Sequence, residues 1–210
     1  MPEKYDAAQK WPLVLFLHGS GESGADGVSQ TRVGLGPFIA TYRHKCPFIA
    51  VFPQSPNAKT WFLGPEAKVV FEILDKVQRE YNVDPDRIYL TGHSMGGYGT
   101  WSVAMSHPDV FAALAPISGG SNTPAGMSKI AHIPQLVVHG DTDPTVPVER
   151  SRVMVAEGKK LGAEIKYIEV PGGDHGSVVA PNFPAVFEWF DTHKRKGAAA
   201  GAAAGSSKNK

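Results

Sequence analysis

Six short runs rich in β-branched and aliphatic residues, at 13–18, 48–53, 87–92, 114–118, 135–139 and 164–170, recur along the chain with longer segments of helical period between them. Several of these runs are apolar on both faces, which suits strands in a sheet covered by helices on each side, and their alternation with helical segments makes that sheet parallel. Helices are expected at 66–81, where Val69, Val70, Ile73, Leu74 and Val77 share a face, and at 95–107, 148–161 and 184–194, with a shorter one at 35–44. No internal repeat and no Pro- or Ser-rich linker interrupts the pattern, so residues 1–195 form one layered α/β domain. The remaining stretch, KGAAAGAAAGSSKNK at 196–210, has no apolar side chain larger than alanine and is expected to be a flexible tail without chemistry of its own.

Composition removes whole classes of function. With 42% hydrophobic and 20% charged residues the chain can bury a large core, unlike a disordered or coiled-coil protein. A net charge of +1 provides no field to attract nucleic acid or an anionic membrane, so neither is expected as a partner. The single cysteine, Cys46, rules out an internal disulfide and a four-thiolate zinc site and is expected to pack near the start of a strand. No apolar run approaches the roughly 20 residues of a membrane helix. The opening Met1-Pro2-Glu3-Lys4-Tyr5-Asp6 lacks the pattern of a signal peptide, which makes the cytoplasm the default location and secretion the alternative if a native leader has been lost.

Polar residues gather just after the strands: His18-Gly19, Gly92-His93-Ser94, His139-Gly140-Asp141 and Asp174-His175. In open parallel sheets ligands bind at the carboxyl ends of strands, so these distant segments should converge there. Gly92-His93-Ser94-Met95-Gly96 matches G-x-S-x-G between a strand and a helix, the context in which a sharp turn exposes a serine hydroxyl at a helix N-terminus. A serine hydroxyl is a weak nucleophile and needs a base that a third group orients. His175, in a loop rich in glycine, is the candidate base. The loop His139-Gly140-Asp141-Thr142-Asp143 offers two acids, of which Asp143 is preferred and Asp141 is expected to brace the loop backbone. Attack on a carbonyl needs pre-aimed N–H donors for the oxyanion; Ser20 and Met95 are the candidates, with Gly21 as a possible second donor in the first loop. His18, His93 and His139 are expected to bond loop backbone. A zinc site built from them and Asp141 lacks ligand spacing, and no metal or other cofactor is expected.

Taken together, LVLFLHGSGESG at 13–24, RIYLTGHSMGGYGTW at 87–101, HGDTDPTVP at 139–147 and GGDHG at 172–176 resemble the α/β-hydrolase family, in particular its lidless branch of carboxylesterases, acyl-protein thioesterases, dienelactone hydrolase and polyhydroxybutyrate depolymerase-like esterases. The resemblance runs from about Trp11 to Phe190 and implies Ser94, Asp143 and His175 as a catalytic triad, with Ser20 and Met95 as oxyanion donors. A small-molecule or polymeric ester is the expected substrate, and a monomer or homodimer the expected assembly.

Two departures from the family pattern stand out. Only about ten residues precede the first strand, a minimal N-terminus, and only about sixteen separate Ser118 from the strand at 135, too few for a cap domain. The site should therefore be open. Trp61 falls in the loop after the second strand and either lines a substrate pocket or packs within the loop. A peptidase and a thioesterase are the alternatives on the same fold, and a non-catalytic binding protein is the alternative of another class.

Overall fold

The computed structural model describes residues 1–58 and 65–195, and all six apolar runs form strands of one sheet. The strands are β1 (Trp11–Leu17), β2 (Ile49–Val51), β3 (Val83–His93), β4 (Ala113–Ile117), β5 (Gln135–Gly140) and β6 (Ile165–Val170). They lie side by side in the order β2-β1-β3-β4-β5-β6, and every neighbouring pair is parallel. The helices are α1 (Leu35–Tyr42), α2 (Pro65–Glu80), α3 (Met95–Ser106), α4 (Glu149–Lys160) and α5 (Val179–Thr192).

The sidedness of β1 shows why its sequence is apolar without alternation. Successive strand residues point to opposite faces. Leu13, Leu15 and Leu17 enter a core with Val70 and Leu74 of α2, Trp101 and Val103 of α3 and Met154 of α4. Val14 and Phe16 enter a second core with Leu35 of α1 and Phe183, Val186, Phe187 and Phe190 of α5. Complete burial of each such side chain stabilises the fold by about 1.5–3 kcal/mol, so both faces of the strand must be apolar. The core also holds a buried polar pair: Trp101 Nε1 donates to Gln135 Oε1 at 2.8 Å.

Element boundaries differ from expectation in places where packing outweighs local signals. Helix α5 begins at Val179 rather than at residue 184, with Pro184 inside it. Val178, Val179 and Phe183 are buried beneath the sheet, and their burial offsets the backbone hydrogen bond that proline cannot make. Strand β3 reaches back to Val83, which pairs with Trp11; the register then jumps so that Leu13 faces Ile88. The inserted residues are folded by Asp84, which accepts from the Asp86 N–H and from Arg87 Nε at 2.6 Å. Cys46 is buried just before β2, where burial pushes its thiol up to about 11, the state of a packing residue.

Topology places the site. From β1 the chain turns to one neighbour, β2, and then crosses back over β1 to its other neighbour, β3. This reversal opens a crevice at the carboxyl ends of β1 and β3. The segment between β4 and β5 contains a 3-10 helix, Pro124–Lys129, and no α-helix, so nothing comparable to a cap domain is inserted there.

Candidate active site

Ser94 occupies the turn between β3 and α3 with φ 59° and ψ −117°. This backbone region costs a non-glycine residue about 1–3 kcal/mol and persists only where the surroundings enforce it. Here they do. A Cβ on Gly96 would lie 1.9 Å from the Leu17 carbonyl oxygen and one on Gly92 would lie 2.7 Å from it, so β1, β3 and α3 meet at a separation that only glycine permits. The Ser94 N–H is fixed by Ile117 O of β4 at 3.0 Å, which leaves the hydroxyl as the group the turn presents.

His175 arrives from the loop after β6, and its ring joins two residues far away in sequence. Nε2 lies 2.9 Å from Ser94 Oγ, and Nδ1 lies 2.7 Å from Asp143 Oδ2. The Asp143 side chain is fully buried while that of His175 is 20% exposed, so the hydroxyl end of the chain faces solvent and the acid end does not. Asp143 Oδ1 accepts the backbone N–H groups of Thr145 and Val146 at 2.8 and 2.9 Å. Burial pushes the Asp143 carboxyl up, but the His175 bond and the two N–H donors outweigh it and hold the group below its ordinary range. The arrangement can orient an imidazole tautomer and stabilise its cation.

The second acid, Asp141, lies outside this chain of contacts. Its Oδ1 accepts the Gly172 N–H at 2.7 Å, bracing the base loop to the acid loop. Asp174, whose role was not legible as a single residue, shapes the base loop: its Oδ1 accepts the Gly176 and Ser177 N–H groups, and its own N–H donates to Ser177 Oγ. An Asp followed three residues later by Ser is the signal that could have found it.

The loop after β1 lies against the elbow. A Cβ on Gly19 would sit 3.7 Å from Ser94 Cβ. Ser20 opens a 3-10 turn (Ser20–Glu22) whose backbone donors are Glu22 and Ser23, so the Ser20 N–H has no acceptor within the turn. Met95 is the first residue of α3, and its N–H has no acceptor within the helix. The loop is clamped from outside. Gln54 Nε2 donates to Glu22 O and to Asp26 Oδ1, both at 3.0 Å, while Gln54 Oε1 accepts the Gly27 N–H at 2.8 Å. Sequence reading missed Gln54 altogether, because nothing local marks a glutamine that bridges loops 27 residues apart. Trp61 lies outside the described residues.

Three further histidines hold backbone, as expected from their places at strand ends. His18 is fully buried; its Nδ1 donates to Gly19 O at 2.5 Å and its Nε2 accepts the Ser55 N–H at 2.9 Å, an assignment that requires the neutral ring. His93 Nε2 donates to His175 O at 2.7 Å, and burial together with the neighbouring His175 pushes its pKa down to about 4. His139 Nε2 lies 2.9 Å from Val146 O. Among the described residues no group of three or more His, Cys, Asp or Glu side chains is placed to hold a metal ion. No helix among them is long and apolar enough to cross a membrane.

Comparison with known proteins finds relatives among esterases and a depolymerase. The chain is 33% identical over 122 residues to poly(3-hydroxyalkanoate) depolymerase C of Paucimonas lemoignei, covering 52% of this chain and 28% of that one. It is 28% identical over 130 residues to feruloyl esterase B of Neurospora crassa, covering 57% of this chain and 42% of that one. This chain therefore spans less than half the length of either curated relative. The crystal structure of a thermostable esterase superposes with a TM-score of 0.82 at 35% identity, over 92% of this chain and 58% of that one. The sheet order, the strained serine between β3 and α3 and the helices on both faces are those of the α/β-hydrolase fold. Because the model of the Esterase family matches residues 1–158 of the 210, the chain belongs to that family.

Proposed function

We propose that this protein is a serine carboxylesterase that works through an acyl-enzyme. The observation that carries the proposal is the unbroken line from Ser94 Oγ through His175 to Asp143, with contacts of 2.9 and 2.7 Å. Ser94 Oγ attacks the ester carbonyl while His175 Nε2 takes its proton. The negative charge that develops on the carbonyl oxygen is received by the Ser20 and Met95 N–H groups, each worth about 3 kcal/mol of transition-state stabilisation. His175 then returns the proton to the departing alkoxide, and a water activated by the same ring releases the acid. Asp143 holds the Nδ1–H tautomer throughout and balances the imidazolium.

Exposure of the His175 ring and the absence of an inserted helical segment between β4 and β5 favour an accessible, bulky ester over a substrate enclosed by a lid. The likeness to a polyester depolymerase and a feruloyl esterase supports the same choice, a small or polymeric carboxylic ester. Initial rates on p-nitrophenyl esters from acetate to decanoate test the proposal. Ser94→Ala is expected to lose at least about a thousandfold in kcat with its circular dichroism unchanged. A folded wild type inactive on every ester would sink the esterase assignment.

A further inference from the structure

His139 is fully buried at the end of β5, and three neighbours constrain its protons. Nε2 lies 2.9 Å from Val146 O and 3.3 Å from Asp143 Oδ2. Neither a carbonyl nor a carboxylate oxygen can donate, so Nε2 carries a hydrogen. Nδ1 lies 2.7 Å from Ser151 Oγ, and that hydroxyl has a second partner, Gly119 O, at 3.1 Å. Burial holds His139 below the ordinary histidine range.

We infer that His139 is a positioning residue for Asp143: its Nε2–H, shared between Val146 O and Asp143 Oδ2, closes the acid turn and is the second ring N–H presented to the oxygen that binds His175. Asp143 then has two backbone donors on Oδ1 and, around Oδ2, the His175 Nδ1 at 2.7 Å with the His139 Nε2 at 3.3 Å. Such a carboxylate can neither rotate nor concentrate its charge on His175. The inference rests on the Ser94–His175–Asp143 assignment. It goes beyond that assignment by giving a fourth residue, one that touches no substrate, control over the acid.

The titratable groups around this cluster come from every neighbouring element. They are His175 and Asp174 from the loop after β6, Glu169 from β6, His93 from the elbow, Tyr98 from α3, Asp143 itself and, from α4, Arg150 beside Tyr98 and Arg152 paired with Glu169. Among the described residues only His139 and His175 bring ring nitrogens to Asp143 Oδ2. Removing the His139 donor leaves a fuller charge on Oδ2, which favours the imidazolium over the neutral base. The acid limb of kcat/KM should therefore move to higher pH.

The test compares His139→Asn, His139→Gln and Ser94→Ala with the wild type on one p-nitrophenyl ester. The asparagine amide is too short to reach both oxygens, whereas the glutamine amide N–H falls near the position of Nε2. His139→Asn is expected to lose about tenfold in kcat with KM unchanged, the scale of a misplaced catalytic group, and to shift the acid limb upward. His139→Gln is expected to recover most of kcat and the wild-type limb. An asparagine variant with unaltered kcat and limb overturns the inference, as does a fall in kcat with an unmoved limb and no rescue by glutamine. Either result with an inactive Ser94→Ala leaves the triad standing, whereas an active Ser94→Ala removes the triad and the inference together. Should His139→Asn fail to fold, the ring ¹H–¹⁵N spectrum of the wild type at pH 7 decides. An Nε2–H signal that disappears in His139→Gln supports the inference, and an Nδ1–H tautomer overturns it.

Discussion

Gly140 and Gly173 approach so closely that a Cβ on Gly140 would lie 2.1 Å from the Gly173 carbonyl oxygen. That oxygen also accepts the N–H and the hydroxyl of Thr142, at 3.1 and 2.9 Å. The acid loop and the base loop are thus one unit, and the separation of Asp143 from His175 is set by backbone contact. Gly140→Ala must pry the loops apart; we expect kcat to fall by about a hundredfold, as for an ångström-scale displacement of a catalytic group. Kinetics beside a melting curve will show whether catalysis is lost in a protein that is still folded.

The two aspartates of the acid loop should separate cleanly. Asp143→Asn keeps the shape but removes the charge and favours the wrong His175 tautomer, so kcat should drop by about 10³–10⁴-fold. Asp141→Ala loses one loop bond, and its kcat should fall less than about tenfold, within the range of a single exposed hydrogen bond. Equal losses in the two variants would contradict the geometry.

At the elbow, the Gly96 Cβ position lies 1.9 Å from Leu17 O, whereas a Cβ on Gly21 meets nothing within 4 Å. Gly96→Ala is expected to cost about 3 kcal/mol or more and to lower Tm by roughly 10 °C. Gly21→Ala should leave Tm unchanged. Differential scanning calorimetry on the pair is sufficient.

Stability should decline on mild acidification. Burial holds His18, His93 and His139 below the ordinary histidine range, His93 at about 4. The unfolded chain therefore takes up protons that the folded chain refuses. The stabilisation is complete above about pH 6.5 and is lost as pH falls toward 4, at up to ~1.4 kcal/mol per pH unit for each histidine. The depressed Asp143 carboxyl acts in a separate window: its contribution is present above the unfolded value near 3.9 and lost only as pH falls through the lower folded value. Urea unfolding at pH 7.5, 6 and 5 measures the slope, and His93→Gln should flatten it.

Gln135 provides a stability test remote from the chemistry. It is fully buried, and besides accepting from Trp101 its amide donates to Ile130 O at 3.4 Å. Gln135→Leu strands the indole N–H without an acceptor, at a cost of about 1–3 kcal/mol. The denaturation midpoint should fall while kcat of the folded enzyme stays at its wild-type value.

Much of this architecture was legible in the chain itself, and for a physical reason. Strands buried on both faces cannot hide their apolar runs, so β1, β3, β4 and β5 are visible without neighbours. Ser94, Asp143 and His175 stand beside glycines or tight turns that advertise their loops. What escaped depended on tertiary contact. Helix α5 starts five residues before position 184 because Val179 and Phe183 pack beneath the sheet. The bulge at Asp84 and the Gln54 clamp each join segments that no local period connects. His139 was legible as a strand-end histidine that bonds backbone; its approach to Asp143 Oδ2 was not.

Strand β4 supplies none of the proposed catalytic side chains, yet it lies between β3, which ends at the nucleophile elbow, and β5, which leads to the acid. Its two edges bind both halves of the site, Ile117 O taking the Ser94 N–H and the Ser118 N–H reaching Val138 O. Two strand spacings, about 9.6 Å, are thereby imposed on the distance from elbow to acid. In this molecule the middle of the sheet is a ruler, and the rate of the proposed ester cleavage should read how well that ruler keeps its length.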